Sequence, residues 1–147
     1  MRYANIYERS GRVFVRSEDK TVAGYHFAQD NVMALNATDH TGIGAALKAA
    51  LEASRESVPI PPRHAMAADA PSALYLAAGV RTWREFAKGA KSISVHQGDG
   101  QIKLVPWKNE GVLANFVPIK DRARTLPDTS PDADLGAAVV AALADID

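Results

Sequence analysis

Two short β-rich runs, residues 3–8 and 12–17, carry Tyr3, Ile6, Tyr7, Val13, Phe14 and Val15 on either side of Ser10-Gly11. Runs of that kind around a small-residue turn predict a β-hairpin. After the charged turn Glu18-Asp19-Lys20, a third strand is predicted over Thr21–Phe27, interrupted by Gly24, and a fourth over Val32–Leu35. The spacing then changes to helical. Ile43, Leu47 and Leu51 fall at i, i+4 and i+8 with Lys48, Glu52 and Arg55 off that face, so a helix capped by Thr38 or Asp39 runs to about Glu56. Pro59, Pro61 and Pro62 stop it, because proline removes the backbone donor a helix needs.

Residues 59–70 have no periodicity and read as a linker, and a short helix over 71–78 is closed by Gly79. A second short helix follows directly. Thr82 and Glu85 have capping-box spacing, Trp83 and Phe86 share its inner face, and Gly89 ends it. From Lys91 the pattern alternates again, with Ile93 and Val95 on one side and Ser92, Ser94 and His96 on the other. Strand 91–97 turns at Gly98-Asp99-Gly100 into 101–105, a loop over 106–111 leads to strand 112–117, and 122–126 forms the last strand. A final helix runs from Pro131 to about Asp145, with Ser130 as its N-cap and Leu135, Val139 and Leu143 on its buried face.

The two long helices align without a gap, residues 41–51 on 133–143, with six of eleven positions identical, four of them alanine. Each follows four strands in the same order, which argues more strongly for a repeat than the alanines do. Gly44 and Gly136 take equivalent places inside the helices, where glycine costs about 1 kcal/mol relative to alanine. A glycine there twice implies close backbone approach. The expected fold is therefore α+β: a duplicated ββββα unit of antiparallel sheets packed with two long helices and a short helical linker. A single domain over 1–147 is expected, divided into one repeat over 2–57, a helical linker over 58–90 and a second repeat over 91–147.

Composition narrows the function mainly by exclusion. A chain of 147 residues, 47% apolar, can bury a sizeable core. It has no cysteine, which excludes disulfides and thiolate metal sites. No apolar run approaches the ~20 residues of a membrane span and no charged-then-apolar leader opens the chain, so a cytoplasmic protein with no membrane partner is expected. Basic and acidic residues balance at 17 each, giving no global field for nucleic acid. From Pro127 onward, however, Asp128, Asp132, Asp134, Asp145 and Asp147 have no base among them. That segment is either a solvated helix start with well-placed dipole partners or an acidic lure for a basic protein.

None of the spaced motifs of nucleophilic, metal or phosphate chemistry occurs. His26, His40, His64 and His96 are scattered, without a second ligand at coordinating spacing. No metal, no cofactor and no catalytic residue is expected, and an enzyme acting through His96 or His26 is the remote reading. Trp107, in the segment 106–111, either tucks against a strand end or is offered to a partner.

The segment Gly79–Val95, preceded by the Ala-Leu-Lys-Ala-Ala-Leu-Glu-Ala-Ser-Arg-Glu-Ser-Val-Pro run over 46–59 and followed by Leu126-Pro127-Asp128 and Leu135–Val139, resembles bacterial immunity proteins of contact-dependent growth inhibition systems. The likeness covers nearly the whole chain. It implies a non-enzymatic cytoplasmic protein that binds a cognate toxin C-terminal domain, commonly a nuclease, and covers or blocks its active site. The resemblance brings no catalytic residue and no cofactor with it. A nuclease is basic because its substrate is phosphate, so Asp128, Asp132 and Asp134, with Trp107 and Glu110 from the preceding loop, are the candidate partner-binding residues. The repeated ββββα layout also resembles Whirly-type single-stranded DNA-binding proteins, which implies a nucleic-acid binder as the alternative function. Their lysine-glycine-rich strand motif is not found in register, Lys88–Lys91 lying instead at a helix–strand junction, so direct nucleic-acid binding is not expected.

Overall fold

The computed structural model describes residues 1–61, 72–111 and 116–146. In chain order the elements are β1 (Arg2–Arg9), β2 (Arg12–Lys20), β3 (His26–Ala28), β4 (Met33–Asn36), α1 (His40–Ala53), α2 (Ala73–Ala78), α3 (Trp83–Ala87), β5 (Lys91–Gly98), β6 (Gln101–Asn109), β7 (Phe116–Pro118), β8 (Arg124–Pro127) and α4 (Asp132–Ala144). Both hairpins form as expected, β1–β2 and β5–β6. Their turns are built alike: Ser10 and Gly11 have φ of 54° and 76°, and Asp99 and Gly100 have φ of 54° and 76°. Two positive values in a two-residue turn match the right-handed twist of the strands they join.

β1 and β5 pair antiparallel and join the hairpins into one curled eight-stranded antiparallel sheet, where separate sheets were expected. The outer edge of β2 is shared by β4, along Arg12–Val15, and β3, along Glu18–Lys20. The outer edge of β6 is shared in the same way by β8, along Gln101–Leu104, and β7, along Trp107–Asn109. One sheet face carries Ala4, Ile6, Val13, Val15, Ile93, Val95, Ile102 and Leu104, and packs against Ile43, Leu47 and Leu51 of α1 and Leu135, Val139 and Leu143 of α4. Alternation along each strand produces that face, since period-two spacing sends every second side chain to the same side.

The helices touch through the two glycines. A Cβ on Gly44 would lie 1.9 Å from the Asp132 carbonyl oxygen, and a Cβ on Gly136 would lie 1.7 Å from the His40 carbonyl oxygen. His40 and Asp132 are the first residues of their helices and the glycines stand four positions further on, so the contact is reciprocal. On the opposite sheet face, Tyr7 and Phe14 pack with Leu74, Tyr75, Phe86 and Ala90. Phe86 presents edges to both strand rings, 5.1 Å from Tyr7 and 5.9 Å from Phe14. Phe86 is a core residue, as expected, Trp83 packs half-buried against the same cluster, and the Thr82 hydroxyl caps α3 by accepting from the Glu85 amide at 3.2 Å.

Several boundaries differ from the sequence reading, each for a physical reason. The charged triplet Glu18-Asp19-Lys20 continues β2 instead of turning, because Asp19 has its own partners: its carboxylate accepts from the Arg55 amide, Arg55 Nη2 and Gln29 Nε2 at 2.8–2.9 Å. The turn falls at Thr21–Tyr25, where a strand was expected, and β3 is confined to His26–Ala28. α1 ends at Ala53, short of Glu56, because Ser54 leaves the helix to tie it to the sheet, accepting from the Tyr3 amide and donating to the Glu18 carbonyl. Asp39, not Thr38, caps it through the Gly42 amide at 3.0 Å.

Trp107 lies in β6 and not in a loop. Proline is tolerated at position 106 because it sits where the outer edge of β6 passes from β8 to β7. Its carbonyl points outward to the Ile119 amide, so the missing N–H lies on that same outer side and removes no bond to β5. Ser130 is not the N-cap of α4: its hydroxyl donates to the Pro127 carbonyl at 2.7 Å and Pro131 occupies the cap position. β8 begins at Arg124 after a 3-10 turn over Lys120–Arg122. The expected linker from 62 onward, the start of the helix at 71 and strand positions 112–115 lie outside the described residues.

Candidate functional site

The face of the sheet turned away from α1 and α4 is covered by α2 and α3 over Tyr7 and Phe14. Toward the Tyr3 end it opens into a cleft of about 410 Å3 whose described lining includes Tyr3, Asn5, Glu18, His26, Ser94, His96 and Trp107. Register assembles these residues. Tyr3 pairs with Glu18 of β2 and with His96 of β5, and Ser92 of β5 pairs with Trp107 of β6. Directly opposed residues of an antiparallel pair share a face, so Glu18, Tyr3 and His96 form one row, and Trp107 stands on the same face in the row of Ser92 and Tyr7. His26 closes the row, its ring edge-on to Tyr3 with centroids 4.3 Å apart.

The polar lining is unevenly satisfied. Trp107 Nε1 donates to Ser94 Oγ at 2.8 Å, which fixes the indole against β5. Asn5 is 8% exposed and its Oδ1 accepts no hydrogen bond. Burial raises the Glu18 carboxyl above the usual carboxylate range, only partly opposed by the Arg16 charge, and the Glu18 carboxylate makes no ion pair or hydrogen bond among the described residues. His26 and His96 are both held below the usual imidazole value, first by burial and then by Lys20 for His26, and by Lys103 and His26 for His96. Both rings are therefore neutral near pH 7. Among the described residues no group of three or more histidine, aspartate or glutamate side chains could hold a metal.

The five residues expected at a partner surface are not brought together. Trp107 is half-buried in the cleft. Asp128 accepts from Gln97 Nε2 at 3.2 Å and lines a separate polar groove of about 340 Å3 with Arg2, Lys48 and Glu52. Asp132 pairs with Lys48 of α1 at 2.7 Å. The acid-only segment thus has basic company from elsewhere in the chain, and Asp145 likewise pairs with Arg124. Asp134 and Glu110 are exposed. The meeting of His26, Glu18 and His96 around Tyr3 was missed in the sequence. The only signal for it was the pairing register, which spacing within one strand does not reveal.

A family model described as CDI immunity protein matches residues 3–145. The chain belongs to the CDI immunity protein family. Members of this family are inhibitors and not enzymes, so the cleft is not a catalytic centre. The fold is similar to a protein of unknown function from Neisseria meningitidis, at TM-score 0.80 and 17% identity over 99% of this chain and 95% of that one. It is also similar to a toxin and immunity complex from Yersinia pseudotuberculosis, at TM-score 0.74 and 17% identity over 99% and 97%. No curated protein matches the sequence. No helix among the described residues is long and apolar enough to cross a membrane.

Proposed function

We propose that this immunity protein binds the C-terminal domain of a cognate toxin, a basic nuclease, in the cytoplasm and covers or blocks its active site. The observation that carries the reading is the family match over residues 3–145. The solved relative from Yersinia pseudotuberculosis, described as a toxin and immunity complex, supports a protein partner. Of the proposed contact residues, Asp134 and Glu110 hold exposed charge for the toxin, whereas Asp128 and Asp132 are engaged with Gln97 and Lys48 and contribute less. Trp107 belongs to the contact through the cleft it lines. We further read the chain as one domain made of two copies of a ββββα unit, supported by the matching turns, the shared outer edges of β2 and β6 and the reciprocal glycine contact.

A single-stranded nucleic-acid binder, as the Whirly-like layout implies, is the second reading. It is favoured by one observation: aromatic and basic side chains share the open sheet face, with Arg16, Lys20 and Lys103 around Tyr3 and Trp107. Titration against the toxin domain encoded beside this chain, and against a single-stranded oligonucleotide at two salt concentrations, separates the two. Tight toxin binding with loss of toxin activity is expected. Tight oligonucleotide binding without toxin binding would overturn the immunity reading.

A further inference from the structure

Both faces of the sheet keep a buried polar atom without a partner, Ser17 Oγ under the long helices and Asn5 Oδ1 in the cleft, but only the cleft is open to a group from outside. Where α1 meets the sheet, Asp19 is paired with Arg55 and Gln29, and Ser54 both accepts and donates. In the cleft, the Glu18 carboxylate has no partner among the described residues, and Asn5 is buried with its Oδ1 unused. An unpartnered buried acceptor such as Asn5 Oδ1 costs folding free energy, and with the half-buried Glu18 carboxylate lining the same cleft it can be satisfied by a group that arrives from outside. Both are acceptors and are met by a group that brings donors, while Arg16 Nε, opposite Asn5 in register, is an unpartnered donor on the same face.

The walls narrow the chemistry further. Tyr3 and Trp107 offer ring surface, and both rings are held in place, Tyr3 against His26 and Trp107 by its bond to Ser94. The Tyr3 ring, fixed beside the Glu18 carboxylate, suits a guanidinium or ammonium group, which gains ring attraction and ion pairing together. We propose that the toxin domain docks on this open half of the sheet and seats one cationic side chain in the cleft. Its donors meet Glu18 and Asn5 Oδ1, and its charge lies against the Tyr3 ring, opposite Glu18 in register. The proposal rests on the immunity reading and names the surface that reading uses.

Three cations stand around the cleft and shape the partner. Arg16 lies over the Tyr7 ring at 5.4 Å, Lys103 is exposed at the rim, and Lys20 pairs with His26 across β2 and β3. They repel a uniformly basic surface, so the seated side chain is flanked on the toxin by neutral or acidic residues. One attractive acidic floor inside a repulsive rim gives specificity as well as affinity. Tyr25, next to His26 in the chain, is 65% exposed and extends the surface with a residue type enriched at binding hot spots.

The test is calorimetric titration of the co-encoded toxin domain into the parent, Glu18→Gln, Tyr3→Leu and Asp134→Asn, with a thermal melt of each. Glu18→Gln should weaken binding about tenfold or more, since it removes the desolvated partner of a charge. Tyr3→Leu should weaken it about three- to fivefold through loss of the ring face, and Asp134→Asn less than either. If a cleft variant melts early, amide hydrogen exchange on the parent complex replaces it, with protection expected at Tyr3, Glu18 and His96. Binding by folded cleft variants within twofold of the parent, or protection confined to α1 and α4, would overturn the cleft and leave the immunity reading standing. No binding by the parent would overturn both. An oligonucleotide that binds more tightly to Glu18→Gln than to the parent would assign the cleft to nucleic acid and overturn the proposal.

Discussion

The two faces of the sheet are made from the same strands yet obey different rules. The face under α1 and α4 is mainly aliphatic, with Ser17 buried in it, and so closely approached by the helices that two positions admit no side chain. The other face is aromatic, covered by α2 and α3 at one end, and at the other end keeps Asn5 and Glu18 in an open cleft. The difference separates what holds the fold from what it presents. Packing that closes completely tolerates little substitution, while a face left partly uncovered is available to a partner.

The largest expected effect breaks the closed face. Gly44→Ala or Gly136→Ala would place a methyl group within 2 Å of a backbone carbonyl of the facing helix, and a backbone cannot rotate aside. Each should cost about 5 kcal/mol or leave the chain unfolded, although alanine is the better helix former by about 1 kcal/mol. Thermal unfolding checks this, and parent-like melting of both variants would mean that the helices do not meet there. Next in size, Leu47→Ala and Leu143→Ala should each cost on the order of 2–5 kcal/mol by opening a cavity between helix and sheet. A loss below about 1 kcal/mol at both would remove these helices from the core.

The remaining two predictions set a satisfied carboxylate against an unsatisfied one. Burial tends to raise Asp19, but hydrogen bonds from Arg55 and Gln29 and the Arg55 charge prevail and hold it below the usual range. Its folded pKa is therefore depressed. The stabilisation is present above the unfolded value near pH 4 and is lost as pH falls through the folded one. Asp19→Asn should cost roughly 1–2 kcal/mol at pH 7, and chemical unfolding of both proteins should show that difference shrinking below about pH 4. Glu18 has the opposite sign. Its folded pKa is raised, so its favourable contribution is complete below the unfolded value near 4.3 and is lost as pH rises through the folded one. Glu18→Gln should therefore stabilise the fold by roughly 1 kcal/mol at pH 7, with the gain gone by about pH 4. A destabilised Glu18→Gln would mean that the carboxylate has a structural role.

Much of this was legible along the chain because its causes are local. Alternation of Ile93 and Val95 with Ser92, Ser94 and His96 requires a half-buried strand, and Ser10-Gly11 and Asp99-Gly100 require tight turns wherever the strands lie. The spacing of Ile43, Leu47 and Leu51, repeated by Leu135, Val139 and Leu143, determined which faces of the long helices are buried, and Gly44 and Gly136 signalled close approach before its partner was known. The fold class followed from those elements, and the family from the resemblance.

Tertiary structure alone decided the surroundings of charge. Along the chain, Glu18-Asp19-Lys20 is a solvated turn and the residues from Pro127 onward are acid without base. In space Asp19 meets Arg55, Asp132 meets Lys48 and Asp145 meets Arg124. An ion pair depends on a separation of a few ångströms through space, which sequence distance does not report. The cleft is the same case. Tyr3, Glu18, His26 and His96 become neighbours through the registers of three strand pairs, and a slip of one residue in any of them would turn a strand's side chains to the other face.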